Sequence, residues 1–197
     1  MIGALPECLS IENVDYGIRS DYRNVLQVFE AFADPELEQG EKWIVAIYLL
    51  LEPFTCADDV LEAAENGFNV DEAAKKIIWF ISSGQESGDK KELPTYDWIQ
   101  DEQMIFSAVN KVAGKETREL EYLHWWTFLG YFNEVGEGNL SFVVGIRNKL
   151  NKHKNLEKHE REFLNNNSKL VKLEKRKTKE ELEQEAKYKA LLEGLLK

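Results

Sequence analysis

The chain has 197 residues, 43% of them apolar and 31% charged, and a net charge of -11 at neutral pH. That length and apolar fraction are enough for one packed core without a metal or a disulfide, and they fit one domain with an appendage better than two full domains. The charge argues against nonspecific nucleic-acid binding by the whole surface, but it is unevenly spread: residues 147–197 hold 15 Lys/Arg and 9 Asp/Glu, net +6, which leaves -17 for residues 1–146.

The N-terminal stretch "MIGALPECLSIENV" has neither the basic region nor the apolar run of a secretion signal, so the protein is expected to stay in the cytoplasm that makes it. Cys8 and Cys56 lie far apart with no CxxC spacing, which predicts reduced, small core residues rather than a zinc knuckle or redox pair. Around the turn-prone Glu12-Asn13, short β-branched and aromatic runs predict a hairpin of Cys8 to Ile11 with Tyr16 to Ile18. Ser20 is the expected N-cap of a first helix with Tyr22, Val25, Leu26, Phe29, Phe32 and Ala33 on one face, ended by Asp34-Pro35.

A second helix is expected from about Glu36, with Ile44, Ile47, Tyr48 and Leu51 inward and Pro53 closing it. Its apolar run from Trp43 to Leu51 falls well short of the roughly 20 residues that span a bilayer, so no membrane span is predicted. "TCAD" at 55–58 and "NVDE" at 69–72 have capping-box spacing and predict helices over about 56–66 and 70–82, separated by Gly67. The polar stretch from Ser82 to Pro94 predicts a loop, and residues 83–94 a subdivision point of the core domain.

Asp97 with Gln100 is expected to open the next helix, carrying Trp98, Ile105, Val109 and Val112 on one face up to Gly114. "ELEYLHWWTFLGYF", residues 119–132, predicts an aromatic helix over about 117–135, apolar around nearly its whole circumference and therefore buried in the fold or against a partner. A helix over 140–151 carries Phe142, Val143, Ile146 and Leu150. Beyond it Leu156, Phe163 and Leu170 recur every seven residues with Leu164 and Val171 beside them, half of a coiled-coil seam that suggests self-association through the C-terminal helices. Thr178 with Glu181 predicts a last capping box, and the apolar Tyr188, Leu191, Leu192, Leu195 and Leu196 crowd the final turns. The expected architecture is thus mainly α: a compact, acidic multi-helix domain over 1–155 with a small N-terminal β-hairpin, and an extended, charged helical tail over 156–197.

No phosphate loop, nucleophile elbow or paired ligand motif is present. His153, Glu157, His159 and Glu160 make the most metal-like fragment, but His153 and His159 diverge by about 120° on an ideal helix, and a solvated face is the expected reading. His124 beside Trp125 has no identifiable catalytic partner and is read as a core or interface histidine. Neither an active site, a metal nor a cofactor is predicted. The interleaved Glu174, Glu180, Glu181 and Glu183 make the basic tail a better dock for an acidic surface than for nucleic acid, which is kept as an alternative partner.

Four fragments resemble the bacteriophage gene-product-fifteen family: "YGIRSDYR" (16–23), "YDWIQDEQMIFSAV" (96–109), "LHWWTFLGYF" (123–132) and "IRNK" (146–149). The His-Trp-Trp core followed by Ile-Arg is their most specific part. In order and spacing they cover most of residues 8–150, and the tail past about 155 lies outside the resemblance.

The resemblance implies a non-enzymatic tail assembly chaperone, acting in the host bacterial cytoplasm on the tape measure and tail tube proteins, with a structural tail component of the virion as the alternative. It makes His124, Trp125, Trp126, Phe128 and Arg147 signature positions. Tyr188, Leu191 and Leu195 are added as partner-binding candidates from the unpaired apolar turns. Arg147 is expected to pair with a carboxylate near Asp97, such as Asp101.

Overall fold

A computed structural model describes residues 2–85, 93–184 and 187. The fold is mainly α with an N-terminal antiparallel hairpin, β1 (Cys8–Ile11) and β2 (Val14–Gly17), in register Ile11 to Val14 and Cys8 to Gly17. Glu12 and Asn13 form the turn with φ of 49° and 65°, the paired left-handed conformations that suit a two-residue hairpin loop. The second strand therefore starts two residues ahead of the expected Tyr16. Leu9 and Ile11 face the core, and Cys8 is exposed on the opposite face of the strand.

Asp21, not Ser20, caps α1 (Tyr22–Ala33), its Oδ1 accepting the Arg23 amide at 2.9 Å. The Ser20 hydroxyl is engaged by the Tyr122 hydroxyl at 2.7 Å. Both residue types cap well, so the tertiary partner decides. α1 buries Tyr22, Val25 and Val28 and packs against α2 (Gln39–Leu50), which opens on a capping box of Glu38 and Glu41 rather than at Glu36.

α3 (Ala57–Glu65) starts one residue later than "TCAD" suggests, with the exposed Cys56 as N-cap. Neither cysteine is a core residue, because one is at the cap and the other on an outward strand position. The Asp59 carboxylate accepts from the Thr55 hydroxyl (2.6 Å), the Thr55 amide (2.7 Å) and the Cys56 amide (3.3 Å). These donors, the Thr55 hydroxyl foremost, hold its pKa at about 2 against an ordinary 3.8. Because the folded pKa is the depressed one, this stabilisation is present above the unfolded value and is lost as pH falls from near 4 through about 2. Asp59→Ala is expected to flatten the acid limb of stability in that window, measured as urea midpoints against pH; an unchanged limb would rule this out.

α4 (Val70–Ile81) is capped as predicted by Asn69, whose side chain takes the Glu72 amide at 3.0 Å. α5 (Glu102–Ala113) begins five residues after Asp97. Residues 97–101 instead form a turn in which Asp97 Oδ1 accepts the Ile99 and Gln100 amides (2.9 and 2.7 Å) and Asp101 Oδ2 accepts the Asp97 amide (2.9 Å). Gly114, with φ of 70°, closes α5 in the left-handed conformation.

The aromatic stretch is only half helical. Thr117–Glu119 is one 3-10 turn, residues 120–124 run on without helix, and α6 spans Trp125–Asn133. On α6 only Trp125 and Phe128 are buried, while Trp126, Leu129, Tyr131 and Phe132 are half-buried. The helix apolar all round is therefore an overreading: it counted as helix residues that pair with the N-terminal segment as extended chain.

α7 (Asn139–Asn151) buries Leu140, Val143, Ile146 and Arg147. α8 (Lys158–Asn166) and α9 (Ser168–Val171) fold back, α9 packing on both α7 and α8. The heptad spacing is no seam, because the helix breaks at Asn167. Phe163 packs edge-on against Phe142 at 5.0 Å, Val171 is buried and Leu170 faces out. The compact body thus continues past residue 155.

Thr178 and Glu181 form the predicted box, each side chain meeting the other's amide at 3.1 and 3.0 Å. Tyr188, Leu191, Leu192, Leu195 and Leu196, with most of the predicted 83–94 loop, lie outside the described residues. One apolar core joins both sides of the chain: Tyr22 stacks on Phe128 at 4.5 Å, and Trp98 packs against Phe29, Trp125 and Phe132. Among the described residues no helix is long and apolar enough to cross a membrane.

Candidate functional site

The "YGIRSDYR" and "LHWWTFLGYF" fragments meet each other. The Tyr22 amide donates to the Leu123 carbonyl (3.0 Å) and the Trp125 amide to the Ser20 carbonyl (2.8 Å), a single bridge centred on Asp21 and His124. Asp21 Oδ2 also accepts the Leu123 amide at 3.0 Å, while Arg23 bonds Asp21 and the carbonyls of Arg118 and Leu120. His124 is buried and caps α6: Nδ1 accepts the Trp126 amide at 3.0 Å, so Nε2 carries the proton and donates it to the Pro6 carbonyl at 3.1 Å. Both ring nitrogens are engaged by backbone, which leaves neither for a substrate.

The two indoles finish a different helix. Trp125 Nε1 donates to the Ile81 carbonyl and Trp126 Nε1 to the Phe80 carbonyl, both at 2.8 Å. The last carbonyls of a helix have no partner within it, and here adjacent tryptophans supply donors at the end of α4. Arg19 treats α2 likewise, with bonds to the carbonyls of Tyr48, Leu51, Glu52 and Phe54 at 2.7–2.9 Å. Its positive charge suits the negative end of the helix dipole. Sequence reasoning gave Arg19 no role: its acceptors are main-chain atoms 29–35 positions away, a contact without a residue-type signature.

Arg147 forms a third such node. The expected bidentate pair with Asp101 is present, at 2.5 and 2.9 Å, and both side chains are almost fully buried. Nε donates to the Val171 carbonyl (2.7 Å), and the terminal nitrogens also reach Leu170 (2.8 Å) and Thr95 (3.1 Å). One guanidinium therefore ties the 95–101 turn to α7 and α9. Gln100 extends this tie, accepting the Glu174 amide (2.9 Å) and donating to the Lys172 carbonyl (2.8 Å). Arg176 pairs with Asp97 at 3.0 Å, and the Lys179 amide donates to Glu36. The basic segment docks on the acidic body of its own chain.

Near the chain's metal-like fragment, Lys149 donates to both oxygens of the buried Glu160 (2.6 and 2.8 Å). This pairing, with the Glu157 amide, lowers the Glu160 pKa and raises that of Lys149. His159 stacks on Phe142, and His153 lies past the end of α7 at φ 51°. Among the described residues no group of three or more His, Cys, Asp or Glu is placed to hold a metal.

His124, Trp125, Trp126 and Phe128 thus come together, and Arg147 anchors a separate node. Apolar surface is open to solvent around the 95–101 turn. A groove of about 540 Å³ runs between Phe29, Phe32 and Ala33 of α1 and the Leu93–Ile99 segment, with Arg176 at its edge. A smaller hollow lies across the Trp98-Ile99 ridge, lined by Leu26, Gln27, Glu30, Glu102 and Phe106.

In this mainly helical protein several buried polar side chains are engaged within the chain, and the groove beside the 95–101 turn is lined by aromatic rings. The family model described as Bacteriophage Gp15 protein matches residues 1–173, and the chain belongs to this family, hence to the bacteriophage proteins of particle structure and morphogenesis. The match runs past residue 155 and takes in α8 and α9, so the expected limit of the resemblance is corrected; the Arg147 bonds to Leu170 and Val171 give the physical reason. No curated protein and no solved structure matches the chain.

Proposed function

We propose that this protein is a non-enzymatic tail assembly chaperone, which binds the tape measure protein, the tail tube protein or both during tail morphogenesis in the host cytoplasm. The observation that carries the reading is membership of the Bacteriophage Gp15 family over residues 1–173. The structure supports it through what its polar groups do: His124, Arg147 and Glu160 are each used up in backbone or ion-pair contacts. An exposed aromatic groove offers the apolar area by which a client helix binds reversibly.

Co-expression of the tagged protein with the neighbouring tube and tape measure proteins tests this. Retention of the tape measure protein on the tag, with the chaperone missing from purified particles, is the expected result. Stoichiometric presence in finished particles would instead make it a structural tail component.

A further inference from the structure

We infer that residues 172–184 form a salt-released strap, which detaches while the fold up to Val171 stays intact and thereby unmasks Asp97 in the groove beside α1. The boundary between strap and body is sharp. Val171 is 1% exposed and its carbonyl accepts from Arg147 at 2.7 Å, whereas no residue from Lys172 to Gln184 is buried. The strap is tied down by polar groups near the surface. Gln100 bonds the Lys172 carbonyl and the Glu174 amide, Arg176 pairs with Asp97 with their side chains 31% and 32% exposed, and the Lys179 amide donates to Glu36. Exposed ion pairs and surface hydrogen bonds hold weakly, because water and salt compete for the same groups. A segment with no buried side chain to lose opens before the core does.

Electrostatics decide when it opens. Residues 172–179 carry five Lys/Arg against one Glu, net +4, and lie on a chain whose first 146 residues sum to -17. The attraction is spread over exposed charges and is therefore screened by salt. The consequence falls on the groove, which Arg176 lines together with Phe29, Phe32, Tyr96, Asp97 and Trp98. When the strap leaves, Asp97 keeps its bonds to the Ile99 and Gln100 amides but loses its cation. What is left is a carboxylate beside aromatic rings, the complement of a basic residue on an apolar face. Arg176 thus occupies the place of a partner's cation, and the strap and a partner exclude each other. Use of the groove by a client rests on the chaperone reading above; release of the strap is a property of the isolated chain.

Amide hydrogen exchange in the full chain tests this, read by NMR at the Glu174 and Lys179 amides, whose acceptors belong to the body. Both are expected to exchange faster as salt rises, while the Val171 amide, bonded to the Asn167 carbonyl at 3.0 Å, stays protected. Gln100→Ala is expected to speed strap exchange about tenfold by removing two hydrogen bonds. Arg176→Ala should speed it about twofold to fivefold, and should also reduce the salt dependence, which Gln100→Ala leaves in place. In both variants the Trp98 indole signal is expected to shift in the direction that high salt moves it in the parent. Strap amides that exchange only at the rate of the core would mean that the strap opens by global unfolding alone. Exchange insensitive to salt in the parent would remove the electrostatic latch, and a strap that opens without moving the Trp98 signal would sever it from the groove. Any of these three results overturns the inference, and none depends on a tape measure client.

Discussion

Arg147→Met is expected to lower the unfolding free energy by about 3–5 kcal/mol, the usual cost of stranding one member of a buried ion pair. The loss follows from what remains behind: the Asp101 carboxyl, fully shielded from solvent, loses its ion-pair partner, and the carbonyls of Leu170, Val171 and Thr95 lose their donor. Removing both charges, in Arg147→Met with Asp101→Leu, is expected to recover much of the penalty, since the isolated carboxylate is its largest part. The recovery stays incomplete because the Asp97 amide, at 2.9 Å from Asp101, and the three carbonyls are still unsatisfied. Urea melts of the single and double variants measure this. A single variant within about 1 kcal/mol of the parent would mean that water replaces the guanidinium without cost.

Trp125→Ala is the second large effect, at about 3–5 kcal/mol for emptying an indole-sized site in a packed core. Trp125 is 1% exposed and touches the rings of Phe29, Trp98 and Phe128. Its loss also frees the Ile81 carbonyl at the end of α4. The Phe variants separate the two contributions. Trp125→Phe keeps most of the apolar area and leaves a buried acceptor, for about 1–3 kcal/mol. Trp126→Phe, at a half-buried position, should cost about 0.5–1.5 kcal/mol because water reaches the Phe80 carbonyl more easily. Equal losses in the two Phe variants would refute the assignment of the deeper cap to Trp125.

The features legible in the sequence are those whose cause is local. The Asn69 and Thr178 caps stand where spacing put them, because donor and acceptor are three residues apart. Gly114 closes α5 because its backbone needs a left-handed conformation. The Arg147–Asp101 pair is not local, and it could be anticipated only because the family resemblance singles out Arg147, whose burial then requires a carboxylate. What misled was composition without context. Asp97 to Gln100 has the spacing of a helix start, yet Asp101 turns to Arg147 and draws the Asp97 amide with it, so the helix begins later. Residues 119–124 continue the aromatic pattern of α6, but the Asp21 carboxylate and the Tyr22 amide hold Leu123 as extended chain. The caps from Arg19, Trp125 and Trp126 end on main-chain carbonyls, which every residue possesses, and no pattern of side chains announces them.

These borrowed helix ends bear on the order in which the chain can be assembled. α4 is complete at Ile81, but the donors to the Ile81 and Phe80 carbonyls arrive 44 and 46 residues after their acceptors, and Arg147 in turn waits for the α9 carbonyls. A ribosome emitting the N-terminal half therefore exposes a helix pair that cannot finish, with the apolar floor for Trp125 open to water. Contacts of such long sequence separation slow folding and delay its cooperative step. Nascent chains stopped before residue 125 are expected to remain sensitive to protease, and resistance to arrive only after α6 and the Arg147 node have emerged.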